Sequence, residues 1–82
     1  MKSSNILLSL EGEELEVSIN KHGVVCVSYK DASIKDGMFL NYTHGRGKDF
    51  EEACDNYLSQ IRGKTLVFDA DTNHRREVTV LG

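Results

Sequence analysis

The chain has 82 residues, 39% of them hydrophobic and 28% charged, with seven glycines, no proline, no tryptophan and a net charge of −3. That length admits one domain, residues 1–82, and one modest core, because so short a chain buries only roughly 60–65% of its unfolded surface. The composition excludes a collagen, a disulfide scaffold, a coiled coil and a disordered tail.

Asn5 to Leu10 reads as a strand, with Ile6, Leu8 and Leu10 on one face at period two. Glu11-Gly12-Glu13 follows as a turn. Glu14 to Ile19 alternates Leu15, Val17 and Ile19 against Glu14, Glu16 and Ser18, the pattern of a half-buried strand. Asn20-Lys21-His22-Gly23 is a hairpin turn, and Val24 to Tyr29 is a third strand rich in β-branched residues. That strand is apolar on both sides, which hints at a second cover from another copy of the chain. Lys30 to Asp36 is polar and reads as a turn, Gly37 opens a short fourth strand, Met38 to Tyr42, and Thr43 to Lys48 reads as a loop.

Asp49 to Arg62 carries the clearest pattern. Phe50, Ala53, Cys54, Tyr57, Leu58 and Ile61 fall on one helical face, Asp49 and Glu52 form a capping-box pair, and Gly63 stands where a helix ends. Lys64 to Ala70 and Arg75 to Leu81 complete the chain as two strands joined by Asp71-Thr72-Asn73-His74. The order β-β-β-β-α-β-β predicts an α+β fold, a single antiparallel sheet with one amphipathic helix packed on one face.

Charge is unevenly placed. Residues 1–48 hold six acids and six bases, residues 49–63 four acids and one base, and residues 64–82 three of each. With no overall basic excess, the chain lacks the electrostatic footprint of a general duplex binder. Gly45-Arg46-Gly47-Lys48 before the helix has the elements of a phosphate cradle, but Asp49, Glu51 and Glu52 crowd the same helix end and would repel an anion. His74-Arg75-Arg76 forms a basic cluster at a hairpin tip, and Glu13, Glu14 and Glu16 project from the first hairpin as an acidic face that would steer toward a basic partner.

Cys26 and Cys54 have no metal-ligand spacing with His22, His44 or His74, and Cys54 falls on the apolar helix stripe where a thiol is inert. No nucleophile elbow or isolated carboxylate pair appears, so the chain reads as a non-enzyme with no metal and no cofactor. No apolar run approaches the length of a membrane span or of a signal-peptide core, and two reduced thiols suit the cytoplasm.

Gly47-Lys48-Asp49-Phe50-Glu51-Glu52-Ala53, following a β-meander, resembles the strand-to-helix junction of HicB-like antitoxin domains over roughly residues 14–62. The chain departs from that family in lacking its Pro-Asp and Pro-Gly loop and in ending in a hairpin, so the resemblance is one of topology and carries over no contact residue. The segments Phe50-Glu51-Glu52-Ala53-Cys54, Gly63-Lys64-Thr65-Leu66-Val67-Phe68 and Arg75-Arg76-Glu77-Val78 resemble small phage and prophage proteins of Gram-positive bacteria. That resemblance implies an accessory protein that binds and modulates a host or phage protein. The expectation is therefore a non-enzymatic protein-binding module of phage or mobile-element origin. Two alternatives stand beside it: a small nucleic-acid or anion binder using Arg46, Lys48, Arg75 and Arg76, and a structural homo-oligomer subunit.

Overall fold

The computed structural model describes residues 2–10 and 12–80. Over them the chain runs α1 (Ser3–Leu8), β1 (Leu15–Ile19), β2 (Val25–Tyr29), β3 (Ala32–Asp36), β4 (Phe39–Asn41), β5 (Gly45–Gly47), α2 (Phe50–Ile61), β6 (Thr65–Phe68) and β7 (Arg76–Thr79). The positions expected at Glu11 and Leu81 lie outside the described residues. The class is α+β. The strands form two antiparallel sheets where one was expected, in the orders β1-β2-β5 and β4-β3-β6-β7.

The helix α2 forms as its caps predict. Asp49 Oδ1 accepts the Glu52 N–H at 2.8 Å and Glu52 Oε1 accepts the Lys48 N–H at 3.1 Å, so two otherwise orphaned donors are satisfied. Ala53, Cys54, Tyr57, Leu58 and Ile61 are all buried, the stripe that the 3.6-residue period requires. α2 packs across β5 and β2, and α1 packs on α2.

The Thr43 to Lys48 segment is not a free loop. Its centre is β5, paired with β2 in the register Val27 to Gly45 and Val25 to Gly47. The glycines are needed because α2 lies directly on this strand. A Cβ on Gly45 would stand 2.2 Å from the Ala53 carbonyl oxygen, and one on Gly47 would stand 2.4 Å from the Ala53 nitrogen. Glycine in a strand here marks a close approach of another backbone.

Three further expectations are corrected. Residues 3–8 form a helix, not a strand. Ile6, Leu7 and Leu10 face the core at i, i+1 and i+4, whereas Leu8, expected inside, is exposed. Six apolar-rich residues fit either period, and packing against α2 decides between them, since so short a helix has little stability of its own. Lys30 to Asp36 is a turn only at its start. Asp31 adopts a left-handed φ of 57°, a conformation Asp tolerates, and the chain passes there from one sheet into β3 of the other. The alternating face of β1 is not fully buried. Leu15, Val17 and Ile19 lie opposite Tyr29, Val27 and Val25 and share their side of the sheet, but α2 covers β2 and β5, so Val17 and Ile19 remain exposed.

The core centres on Tyr29, which meets Tyr57 and Phe68 edge-to-face, each at 5.8 Å between ring centroids. Its N–H donates to Tyr57 Oη at 3.1 Å and its own hydroxyl donates to the Leu7 carbonyl at 2.6 Å, which ties α1 to the sheet. Burial pushes both tyrosine hydroxyls above their ordinary range, so they remain neutral and free to serve these bonds.

A second tie on α1 is a pair of charge-assisted hydrogen bonds. Ser4 donates from Oγ and from N–H to the Glu51 carboxylate, at 2.5 and 3.1 Å. These bonds favour the charged form and hold the Glu51 pKa below its usual value. A depressed carboxylate pKa contributes stability above the unfolded value, and that contribution is lost as pH falls through the folded value. Glu51→Gln is therefore expected to be less stable than the parent in urea at pH 7, with the gap closing below about pH 4, near the ordinary glutamate pKa. A gap that persists unchanged in acid would show that the carboxylate charge contributes nothing.

Candidate functional site

The residues singled out from sequence are split by the folding of the strands. Arg75 and Arg76 are neighbours in the chain but are drawn to different sets of partners. Arg76 stacks over the Phe68 ring at 5.6 Å, donates from Nη2 to Glu13 Oε1 at 2.7 Å and from Nη1 to Asp69 Oδ2 at 3.1 Å. Glu13 is nearly covered in the process, with 7% of its side chain exposed. Arg75 donates to Glu77 at 3.4 Å, and Lys35 binds the same carboxylate at 3.1 Å, holding the Glu77 pKa below its usual range. Val67, the cross-strand partner of Glu77, is fully buried. His74 is exposed, and its carbonyl accepts from Arg76 Nη1. The expected basic tip is thus two intramolecular ion-pair groups.

The acidic face divides likewise. Glu13 joins Arg76, Glu14 stands 4.0 Å from Lys30, and Glu16 remains exposed. Arg46 and Lys48 are brought together, lining one open cleft with His22. Glu52 lines the same cleft, and Arg46 Nε donates to His44 Nε2 at 2.8 Å. Cys54 is buried, and desolvation pushes its thiol up to about 11, with Glu51 and Asp55 adding to the rise. Among the described residues no three His, Cys, Asp or Glu side chains are grouped so as to hold a metal ion.

The feature that sequence reasoning passed over is the β3–β4 hairpin. β3 pairs with β4 from Ile34 opposite Asn41 to Asp36 opposite Phe39, leaving Gly37 and Met38 as a two-residue loop. Gly37 has a φ of +61°, the positive value that the first central position of a II′ hairpin needs. β4 lies at the edge of its sheet. Met38 is 98% exposed, Phe39 74%, Leu40 41% and Tyr42 66%. Tyr42 reaches the other sheet, where its hydroxyl lies 3.2 Å from Ser28 Oγ, and with Cys26, Ser28 and His44 it lines a cleft of about 370 Å³. The second cover expected over the third strand is thus supplied in part by this chain itself: Ser28 is buried, while Cys26 is half-buried.

A signal for the hairpin was present in the sequence. Gly37 to Thr43 carries no charge, and its apolar residues occupy both alternating positions, so neither face of the strand is marked as the wet one. No helix among the described residues is long and apolar enough to cross a membrane. No family model, curated protein or solved structure matches this chain.

Proposed function

We propose that this protein is a non-catalytic binding module that receives an extended, uncharged polypeptide segment along the β4 edge. The observation that carries the reading is the exposure of four large apolar side chains, Met38, Phe39, Leu40 and Tyr42, on and beside one open strand. Exposed apolar side chains along an open strand edge are where main-chain pairing and side-chain burial are available together. The bases of the anion-binding alternative lend it less support, since Arg75 and Arg76 are occupied by Glu77, Glu13 and Asp69.

The reading is tested by affinity capture with two baits, the parent chain and Phe39→Lys, both with nuclease present. A stoichiometric protein, a second copy of the chain included, that the parent retains and Phe39→Lys loses is the expected result. Identical captures from the two baits, or captures that vanish with nuclease, would overturn it.

A further inference from the structure

Strand edges that must stay unpaired are blunted by charge, and among the described residues of this protein every sheet edge but one carries it. The edges of its two sheets are β1, β5, β4 and β7. β1 carries Glu16, β5 carries Arg46, and β7 carries Arg76 and Glu77. β5 is further closed by α2, because the Arg46 N–H donates to Asn56 Oδ1 at 3.0 Å. Phe39-Leu40-Asn41 carries no charge, and the sequence has no proline to interrupt it.

We propose that the β4 edge is the seam of a twofold homodimer, in which Phe39–Asn41 pairs antiparallel with the same strand of a second copy. This deepens the binding reading above and rests on it. Three observations select a second copy as the occupant. A neutral edge offers no charge by which a basic or acidic partner would be recognised, and its complement is another neutral apolar strand. The same edge meeting itself desolvates no ionised group of β4, whereas pairing through β1 or β7 would approach Glu16 or the ion pairs of Arg76 and Glu77.

The third observation is area. At roughly 200 Å² for a large side chain, the exposed parts of Met38, Phe39, Leu40 and Tyr42 amount to about 550 Å² on one protomer. Complete cover of those parts on both copies would bury ~1,100 Å², an upper limit that barely reaches the roughly 1,000 Å² of a specific interface, so the seam is that of a weak, reversible dimer. With the axis through Leu40, Leu40 faces its own copy on one side of the strand and Phe39 lies against Asn41 on the other, so one symmetric contact covers part of both.

Sedimentation velocity on the full chain over a wide dilution series reads the prediction. The parent is expected to shift from monomer to dimer in the micromolar range. Phe39→Lys and Leu40→Lys are each expected to raise the midpoint at least ~10-fold, with an unchanged circular dichroism spectrum. The register has its own test in a Cys26→Ser background. Residues opposed across an antiparallel pair have Cα atoms about 4.5–5.5 Å apart, within the span of a disulfide, so Leu40→Cys should cross-link to itself on mild oxidation.

A dimer that persists in both lysine variants would overturn β4 as the seam. A parent that stays monomeric while Phe39→Lys loses a captured foreign chain would overturn the second copy and leave the binding reading standing. A monomer whose captures do not depend on Phe39 would overturn both.

Discussion

Gly45→Ala is expected to lower the melting temperature by roughly 12–24 °C, a loss of about 3 kcal/mol or more in a domain of this size. The usual sign of such a change in a strand is the opposite, since removing glycine restricts the unfolded chain and stabilises by about 0.4–1 kcal/mol where the native conformation permits it. The sign reverses here because the new methyl would stand 2.2 Å from the Ala53 carbonyl oxygen and 2.5 Å from the Tyr57 backbone nitrogen. Those are atoms of the helix backbone, which cannot rotate away as a flexible side chain would. Thermal unfolding followed by circular dichroism checks it. A melting temperature at or above that of the parent would mean that α2 does not rest on β5 as described. The result also bears on the phosphate reading of Gly45-Arg46-Gly47-Lys48, which expects lost anion affinity in an intact fold.

Two phenylalanines of the same sheet make the second contrast. Phe68 is fully buried against Tyr29, whereas Phe39 is largely exposed on the edge strand. Phe68→Ala leaves a cavity in the core and is expected to cost about 3–5 kcal/mol in urea unfolding, a large share of the stability such a domain possesses. Phe39→Ala removes the same atoms from an exposed position and is expected to change monomer stability by no more than about 0.5 kcal/mol. Comparable losses in dilute protein, where any dimer is dissociated, would show that β4 is part of the core and not a free edge.

What could be read from the sequence depended on how far each signal reached. α2 was legible because its start, stripe and stop agree over twelve residues: the Asp49 and Glu52 caps and the buried Ala53, Cys54, Tyr57, Leu58 and Ile61. α1 was not, since Ile6, Leu8 and Leu10 fit a strand as well as Ile6, Leu7 and Leu10 fit a helix, and the decision belongs to α2 and Tyr29, far along the chain. The alternation of β1 gave the correct element and its face, but not its burial, which depends on where α2 comes to rest. Gly45 and Gly47 suggested a loop because a glycine is silent about whether it serves a turn or a close packing contact.

The charged residues are legible only in part. Pairing of His74-Arg75-Arg76 with nearby acids can be read along the chain, and Arg75 meets Glu77 and Arg76 meets Asp69, whereas the bond of Arg76 to Glu13, 63 positions away, leaves no local trace. The apolar hairpin, by contrast, is a local feature, and the short strand expected over Met38 to Tyr42 forms as Phe39–Asn41, with Met38 in the turn.

The place of β6 bears on the order in which the molecule can be made. β6 lies between β3 and β7, so the strand that opens the second sheet, Ala32–Asp36, waits for residues 65–68 before its far side is paired. About thirty residues intervene, and they include β5 and all of α2. Pairing across so long a segment is the non-local kind that slows folding, and α2 is the element that spans the gap. On a ribosome the hairpin of β3 and β4 emerges well before β6, and throughout that interval the far side of β3 is a second open edge. That edge, unlike β4, is closed in the finished fold, so the chain is safest when β6 reaches it before another copy does.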